Sequence, residues 1–427
     1  MSQRLAGLLL SCLLLPAQAD EFDFDISSYE KKPFELGGHL ELKPEYRYFD
    51  RDSIFYNLDF AADDTQPTAD DRYSGVLELE GLYRLGAATV NFHAQTTAQH
   101  NLHGGSTDAA LFQLYYRHTA DTLNFELGKR ALKWGTGYAW NPTGFIQRPK
   151  NPSDPELSRE GYVIGAVDYV KSFDGPLQAL TFTSLLLPVS KHLNEDFSAV
   201  EDTNLAARLY LLYRNTDIDF MFLTEGSRSG RIGLDFSRNL ASNFEIHGEL
   251  AWIHDQSGFI LDEDEILNKQ TKDRTSYLLG LRYLSARETT YILEYYHNDS
   301  GLTQQQAERF FELVDAAAGT ADDSIQHSNA SDIAHKAGFF TPNYMRDYLH
   351  LKITQKEFFN IVYFAAELTS IINLQDQSFS FIPGLSYTGF QNTELRLRAA
   401  LNYGDRHTEF GEKLVKSRIE LRMRYFF

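Results

Sequence analysis

The sequence predicts a closed antiparallel β-barrel of about eighteen strands that spans a membrane. Three observations carry that expectation. Segments of alternating apolar and charged residues recur along the chain, the connections between them alternate short and long, and a last segment of the same pattern ends on an aromatic residue. Aromatic residues reach 14% of the 427 while mean hydropathy is −0.37, a combination that suits strands with lipid on one face and water on the other.

Arg4, the apolar run Leu5 to Leu15, Pro16 and the small-residue site Ala17-Gln18-Ala19 form the pattern of an export signal over residues 1–19. Residues 20–37, DEFDFDISSYEKKPFELG, then lie in the periplasm as a tail or a small plug at the lower rim, and the barrel occupies 38–427. Beyond the signal no apolar run approaches the length of a membrane helix, so insertion has to be by strands. Cys12 is the only cysteine, which excludes disulfides, cysteine-ligated zinc, iron–sulfur clusters and covalent haem from the chain that follows the signal. No cofactor and no metal is expected.

In the first strand Leu40, Leu42, Pro44, Tyr46 and Tyr48 form one face, and His39, Glu41, Lys43, Glu45 and Arg47 the other. The pattern returns in Leu77, Leu79 and Tyr83 against Glu78, Glu80 and Arg84, and in Phe112, Leu114 and Tyr116 against Gln113 and Arg117. It returns again in Phe244, Ile246, Leu250 and Trp252 against Glu245, His247 and Glu249. Runs of this kind begin near residues 38, 73, 87, 109, 122, 161, 177, 204, 217, 230, 243, 276, 290, 347, 358, 378, 393 and 415. Tight turns such as Asp174-Gly175 and Gln391-Asn392 alternate with long connections such as 50–72, 99–108, 255–275 and 298–346. An even strand count puts both barrel termini on the periplasmic side. Within the longest connection, Phe310, Leu313, Val314 and Ala317 fall at helical spacing, expected as an amphipathic helix on an extracellular loop rather than a lid.

The stretch Lys129 to Gly161, between the fifth and sixth strands, is unlike the rest. It carries two of the three tryptophans, four of the twelve prolines, and six basic residues against three acidic ones. Pro142, Pro149, Pro152 and Pro155 exclude both a long helix and a central strand, while Trp134, Tyr138, Trp140, Phe145 and Ile146 supply apolar surface to fold against something. The expectation is a loop folded into the barrel, over residues 133–160, that narrows a channel there. Its candidate lining residues are Lys133, Trp134, Tyr138, Trp140, Arg148, Lys150 and Arg159.

The last strand sets Ile419, Leu421, Met423, Tyr425 and Phe427 outward and Lys416, Arg418, Glu420, Arg422 and Arg424 inward. Across the seam these join Arg396, Arg398, Lys43 and Arg47 in a luminal basic cluster. Such a cluster either favours an anionic permeant or braces the wall by pairing with Glu41, Glu45, Glu394 and Glu420. The net charge of −19 argues against nucleic acid as a partner, and the loops at the outer mouth carry most of the acid.

The final strand resembles the C-terminal assembly signal of bacterial outer-membrane proteins. That resemblance implies the outer membrane as location, contact with its lipid and lipopolysaccharide, and recognition of the last strand by the barrel-assembly machinery. A long loop after the fifth strand resembles the constriction loop of porins. Strand number and luminal arginines look like the alginate-export type of eighteen-stranded barrel, a likeness of architecture over the whole chain after the signal. What this implies is a passive outer-membrane channel for a small or polymeric, anionic solute: a charged exopolysaccharide, a small organic acid, or a hydrophobic compound guided by Trp134, Tyr138 and Trp140. The alternative is a non-transporting barrel that acts as an enzyme or as a scaffold for a secretion or electron-transfer partner. His247, His297 and His350 have no catalytic partner at a recognisable spacing, so no enzyme activity is expected. The acidic run Asp262 to Glu265 lacks the spaced ligands of a calcium loop.

Overall fold

The computed structural model describes residues 32–60, 66–261, 267–318 and 324–427. The expected signal, residues 20–31 and the acidic run 262–265 lie outside the described residues. Phe34–Phe427 form one compact unit.

That unit is a ring of eighteen antiparallel strands. In order they are β1 (Phe34–Phe49), β2 (Ala69–Leu85), β3 (Ala88–Asn101), β4 (Gly104–Ala120), β5 (Leu123–Arg130) and β6 (Tyr162–Ser172). Next come β7 (Leu177–Pro188), β8 (Thr203–Tyr213), β9 (Thr216–Leu223), β10 (Arg231–Ala241), β11 (Phe244–Leu261) and β12 (Leu267–Leu284). The last six are β13 (Thr289–Asn298), β14 (Asp347–Gln355), β15 (Phe364–Asn373), β16 (Phe379–Phe390), β17 (Thr393–Tyr403) and β18 (Val415–Phe426). Each pairs with its successor, and β1 pairs with β18 to close the ring. At the seam Phe427 and Gly38 exchange two backbone hydrogen bonds of 3.1 Å.

The faces follow the alternation. In β18, Ile419 and Leu421 are 55% and 47% exposed on the outside, while Glu420 and Arg422 between and beside them are 3% and 4% exposed within. An apolar residue left bare beside a buried charge is the reverse of a water-soluble protein. It fits a wall with lipid outside.

Four local expectations need correction. The β3–β4 connection is a tight turn at Leu102-His103, and β11 and β12 run well past the expected loop at 255–275. At the outer end of β12, Asn268, Lys269, Gln270 and Thr271 are all exposed and polar, so no alternation marks a strand there. Phe112 is a β-bulge residue between the pairs Ala94–Leu111 and His93–Gln113. The bulge turns its ring inward to 5.1 Å from His93 while Leu111 and Leu114 stay outside. β15 starts at Phe364, and the apolar residues from Phe358 onward form a turn instead of a strand end.

The fourth correction concerns the mouth. The connection after β13 holds two helices, α2 (Gln304–Ala318) and α3 (Ser324–Ala337), and that after β1 holds α1 (Ile54–Phe60). Thr303 and Gln306 cap α2 reciprocally: each backbone N–H donates to the other's side-chain oxygen, at 2.9 and 3.3 Å. The Phe310, Phe311 and Val314 face of α2 is buried with Phe55, Phe339, Tyr344 and Phe410, in one core with Trp140, Leu278, Tyr348 and Ile371 from inside the barrel. The long connection therefore packs into the mouth, because its helix has too much aromatic surface to remain in water.

Candidate functional site

Residues 131–161 join β5 to β6 as a succession of turns. A segment without regular structure leaves backbone donors that need partners when buried. Two wall carboxylates supply them. Glu249 in β11 accepts from the Gly137 N–H (2.6 Å), the Thr143 N–H (3.0 Å), the Thr143 hydroxyl (2.7 Å) and the Asn141 amide (2.9 Å). Glu294 in β13 accepts from the N–H groups of Tyr138 and Ala139, the latter at 2.8 Å, and lies 2.8 Å from His247 Nε2. At Gly137 the loop is also folded tightly on itself: a Cβ there would fall 2.2 Å from the Trp140 carbonyl oxygen and 3.1 Å from the Glu249 carboxylate of the wall.

The loop's apolar side chains face the wall. Leu132, Trp134, Phe145 and Ile146 are buried against Ile164, Leu185, Leu187, Met221 and Leu223, which project inward from β6 to β9. Trp140 stacks on Tyr296 at 5.1 Å and meets His350 edge-on at 5.8 Å. Trp134 and Trp140 are 2% and 8% exposed, so both rings serve chiefly as anchors of the loop, although Trp134 also forms part of a cavity border. Of the three expected aromatic guides, Trp134 and Tyr138 border a cavity; the Tyr138 hydroxyl donates to Glu156 at 2.9 Å and accepts from Lys352.

The far end of the loop is held by Asp154. Its carboxylate lies 3.1 Å from Arg398, 3.0 Å from Arg422 and 3.7 Å from Arg396. Burial alone would raise its pKa, but these guanidinium groups outweigh burial and hold it below the ordinary carboxylate range. The basic cluster is correspondingly paired. Arg396 also meets Glu367 at 2.6 Å, Arg422 meets Glu420 at 3.0 Å, Arg424 meets Glu41 at 2.7 Å and Arg418 meets Glu45 at 3.5 Å. Arg47 is bound to Asp70, and Lys43 stands 4.0 Å from Glu45. Arg396, Arg398 and Arg422 are thus largely enclosed in ion pairs, whereas Lys43, Arg47, Arg418 and Arg424 keep part of their surface open.

Open space runs along the other side of the loop. A cavity of about 600 Å³ is bordered by Lys133, Tyr138, Arg148, Lys150, Arg159 and, from the wall, Glu80. It shares Glu80, Glu156, Leu157 and Ser158 with a second, of about 460 Å³, bordered by Lys43, Arg72, Arg422 and Arg424. Arg72 in turn borders a space under the mouth with Arg47, Arg418 and Lys413, and Glu80 one that reaches Glu35 and Gly37 at the start of β1. The cavities thus follow one another from the outer end of β18 to the inner end of β1.

The loop's cations differ in state. Arg148 pairs with Glu160 at 2.9 Å and with Asp196, and its ring contact is Tyr162. Lys150 donates to the carbonyl oxygens of Gly137 and Tyr138, tying the two arms of the loop together. Burial, with Arg159 and Lys133 nearby, lowers its pKa to about 8. Arg159 donates to the Arg148 carbonyl oxygen, and among the described residues neither it nor Lys133 has a carboxylate at ion-pair distance. Arg72, Asp154, Glu249 and Glu294 were not singled out by the sequence; alternation places the two glutamates inside, but nothing there distinguishes them from other luminal acids.

The considered histidines all have structural settings: His247 on Glu294, His297 with Nδ1 2.8 Å from Asp347, and His350 between Tyr138 and Trp140.

The closed eighteen-strand ring with its apolar outer belt is the architecture of a transmembrane β-barrel, the fold that porins share. No protein-family model matches the sequence, and no curated protein is significantly similar to it. Among solved structures it is similar to OccK5 (OpdH) of Pseudomonas aeruginosa, with a TM-score of 0.51 and 10% identity over 92% of this chain and 98% of that one. OccK11 (OpdR) of the same species gives 0.48 and 13% over 92% and 96%, and a mutant porin of Rhodopseudomonas blastica 0.44 and 8% over 92% and 100%. At such identity the OccK5 likeness speaks to the fold.

Proposed function

We propose that the protein is a passive outer-membrane channel for small anionic solutes, which pass between the loop 133–160 and the wall formed by β1 to β4 and β18. The observation that carries this reading is the trio Lys133, Lys150 and Arg159 on the cavity side of the loop. They lie close enough for Lys133 and Arg159 to depress the Lys150 pKa, and no carboxylate pairs with them among the described residues. Fixed positive charge beside a narrow path lowers the cost of stripping water from an entering anion. Lys43 and Arg72 continue that charge toward the mouth. Cavities of this size, with the mouth partly filled by α1 and α2, favour a small organic acid over a polymer.

Reversal potentials in planar bilayers under a salt gradient test the reading. Anion preference is expected, and Lys133→Glu with Arg159→Glu is expected to lower or invert it. A wild-type channel that prefers cations, or a barrel that conducts no ions, would overturn the proposal and leave the scaffold or enzyme alternative.

A further inference from the structure

Most inner-rim connections are short and polar: Asp121-Thr122, Arg214-Asn215, Ser242-Asn243 and Gln391-Asn392. The one between β14 and β15 breaks that pattern. It is eight residues long, Lys356 to Tyr363, and between its charged start and β15 it reads FFNIVY. Phe359 is 77% exposed and Tyr363 63%, with Ile361 and Val362 about half exposed. Phe359, Asn360 and Tyr363 sit at φ of 58°, 59° and 65°, a region that suits asparagine and disfavours aromatic residues. Water rewards neither the exposure nor the conformation.

The direction of this turn follows from the strands it joins. Glu367 points into the lumen, where it binds Arg396, so Phe364, three residues earlier in the same strand, points outward. The Phe358 ring approaches the Phe364 ring at 6.3 Å. Phe364 is paired with Tyr387, whose ring meets that of Phe390 at 5.3 Å. The turn therefore continues an outward aromatic patch on the lipid-facing wall at the inner rim.

We infer that the turn Phe358–Tyr363 is a membrane-interface anchor whose occupant is lipid: its side chains enter the headgroup and upper acyl region of the periplasmic leaflet. Uncharged aromatic and aliphatic side chains with a tyrosine at one end match that boundary. Anchoring there holds the depth of β14, which carries Lys352 and His350 against the inward loop, and of β15, whose Glu367 binds the Arg396 that also meets Asp154 of that loop. The inference rests on the membrane-spanning barrel and is independent of what passes through it.

Site-directed spin labelling tests it. In a Cys12→Ser background, single cysteines at Phe359→Cys and Val362→Cys are labelled and the protein is reconstituted in phosphatidylethanolamine–phosphatidylglycerol vesicles. Leu421→Cys serves as the lipid reference and Asn392→Cys as the aqueous one, with heat-modifiable gel mobility confirming that each variant is folded. At least one turn label is expected to collide severalfold more with oxygen than with an aqueous nickel chelate, as Leu421→Cys does. Nickel accessibility equal to that of Asn392→Cys at both positions, or shielding from both reagents through contact with a second copy, would overturn the inference.

Discussion

Asp154, near the far end of the inward loop, lies 3.0 Å from the guanidinium of Arg422 in the last strand, and the same carboxylate meets Arg398 in β17 at 3.1 Å. The loop that leaves the wall after β5 is thereby fastened across the lumen to β17 and β18 beside the seam. Replacing Asp154 by Asn keeps the shape but removes the closest carboxylate of Arg398 and one of two at 3.0 Å from Arg422. These arginines retain Glu367 and Glu420 respectively, so the loss falls below that of an isolated buried pair. Removing one partner of a buried pair costs about 3–5 kcal/mol. Asp154→Asn is expected to lower the temperature at which the barrel loses its folded gel mobility and to make single-channel currents noisier. A variant as quiet and as heat-resistant as the wild type would show that Asp154 does not hold the loop.

Glu249 acts on the nearer part of the loop by accepting two backbone N–H groups, a hydroxyl and an amide. Glu249→Ala strands these donors in a buried place, and unmet donors cost about 1–3 kcal/mol each. Faster proteolysis within residues 135–145 is expected, whereas Glu249→Gln, which still accepts through one oxygen, should be intermediate. Limited digestion followed by mass spectrometry reads the difference.

The strands were legible because lipid and water impose opposite demands on neighbouring residues, as Ile419, Glu420 and Leu421 illustrate. That demand stops where the β11–β12 hairpin leaves the membrane, so its outer half carries no signature. It also fails at the turn from Phe358, whose apolar run looks the same as a strand. The inward loop betrays itself through Pro142, Pro149, Pro152 and Pro155, yet its orientation does not. An aromatic residue on such a loop can face the path or the wall. The deciding signal lies elsewhere, in strands apolar on both faces, such as Leu185-Leu186-Leu187 in β7, which need a cover for their inner side. Trp134 is that cover.

Lys150 is expected to make conduction depend on pH. Burial, reinforced by Arg159, lowers its pKa from 10.5 to about 8, so the folded protein loses this proton at a lower pH than the unfolded chain. Between about pH 8 and 10.5 the unfolded state binds more protons, and this residue's contribution to stability therefore rises with pH across that window. Selectivity runs the other way: loss of the charge removes one of the three cations that have no ion-pair partner among the described residues, and anion preference is expected to decline from pH 7 to pH 9. Lys150→Met should start at the lower value and stay flat, while Lys133→Met should keep the decline. Bi-ionic reversal potentials measured at each pH decide the matter.

The mouth offers a final test, because α2 is held there by aromatic packing and by Asp315, which lies 2.7 Å from Arg406 and 2.8 Å from His407. Phe310 stacks on Phe339 at 3.8 Å and is fully buried, so Phe310→Ala opens a cavity worth about 3–5 kcal/mol in the core shared by α1, α2 and the barrel wall. The eighteen-strand ring and the β1–β18 seam do not depend on that contact. The expected result is a barrel that keeps its folded gel mobility but shows a larger mean conductance, with selectivity unchanged because Lys133, Lys150 and Arg159 stay in place. A wild-type conductance in Phe310→Ala and in a deletion of residues 304–337 would mean that the outer connection does not limit the path. The inward loop would then set the resistance alone.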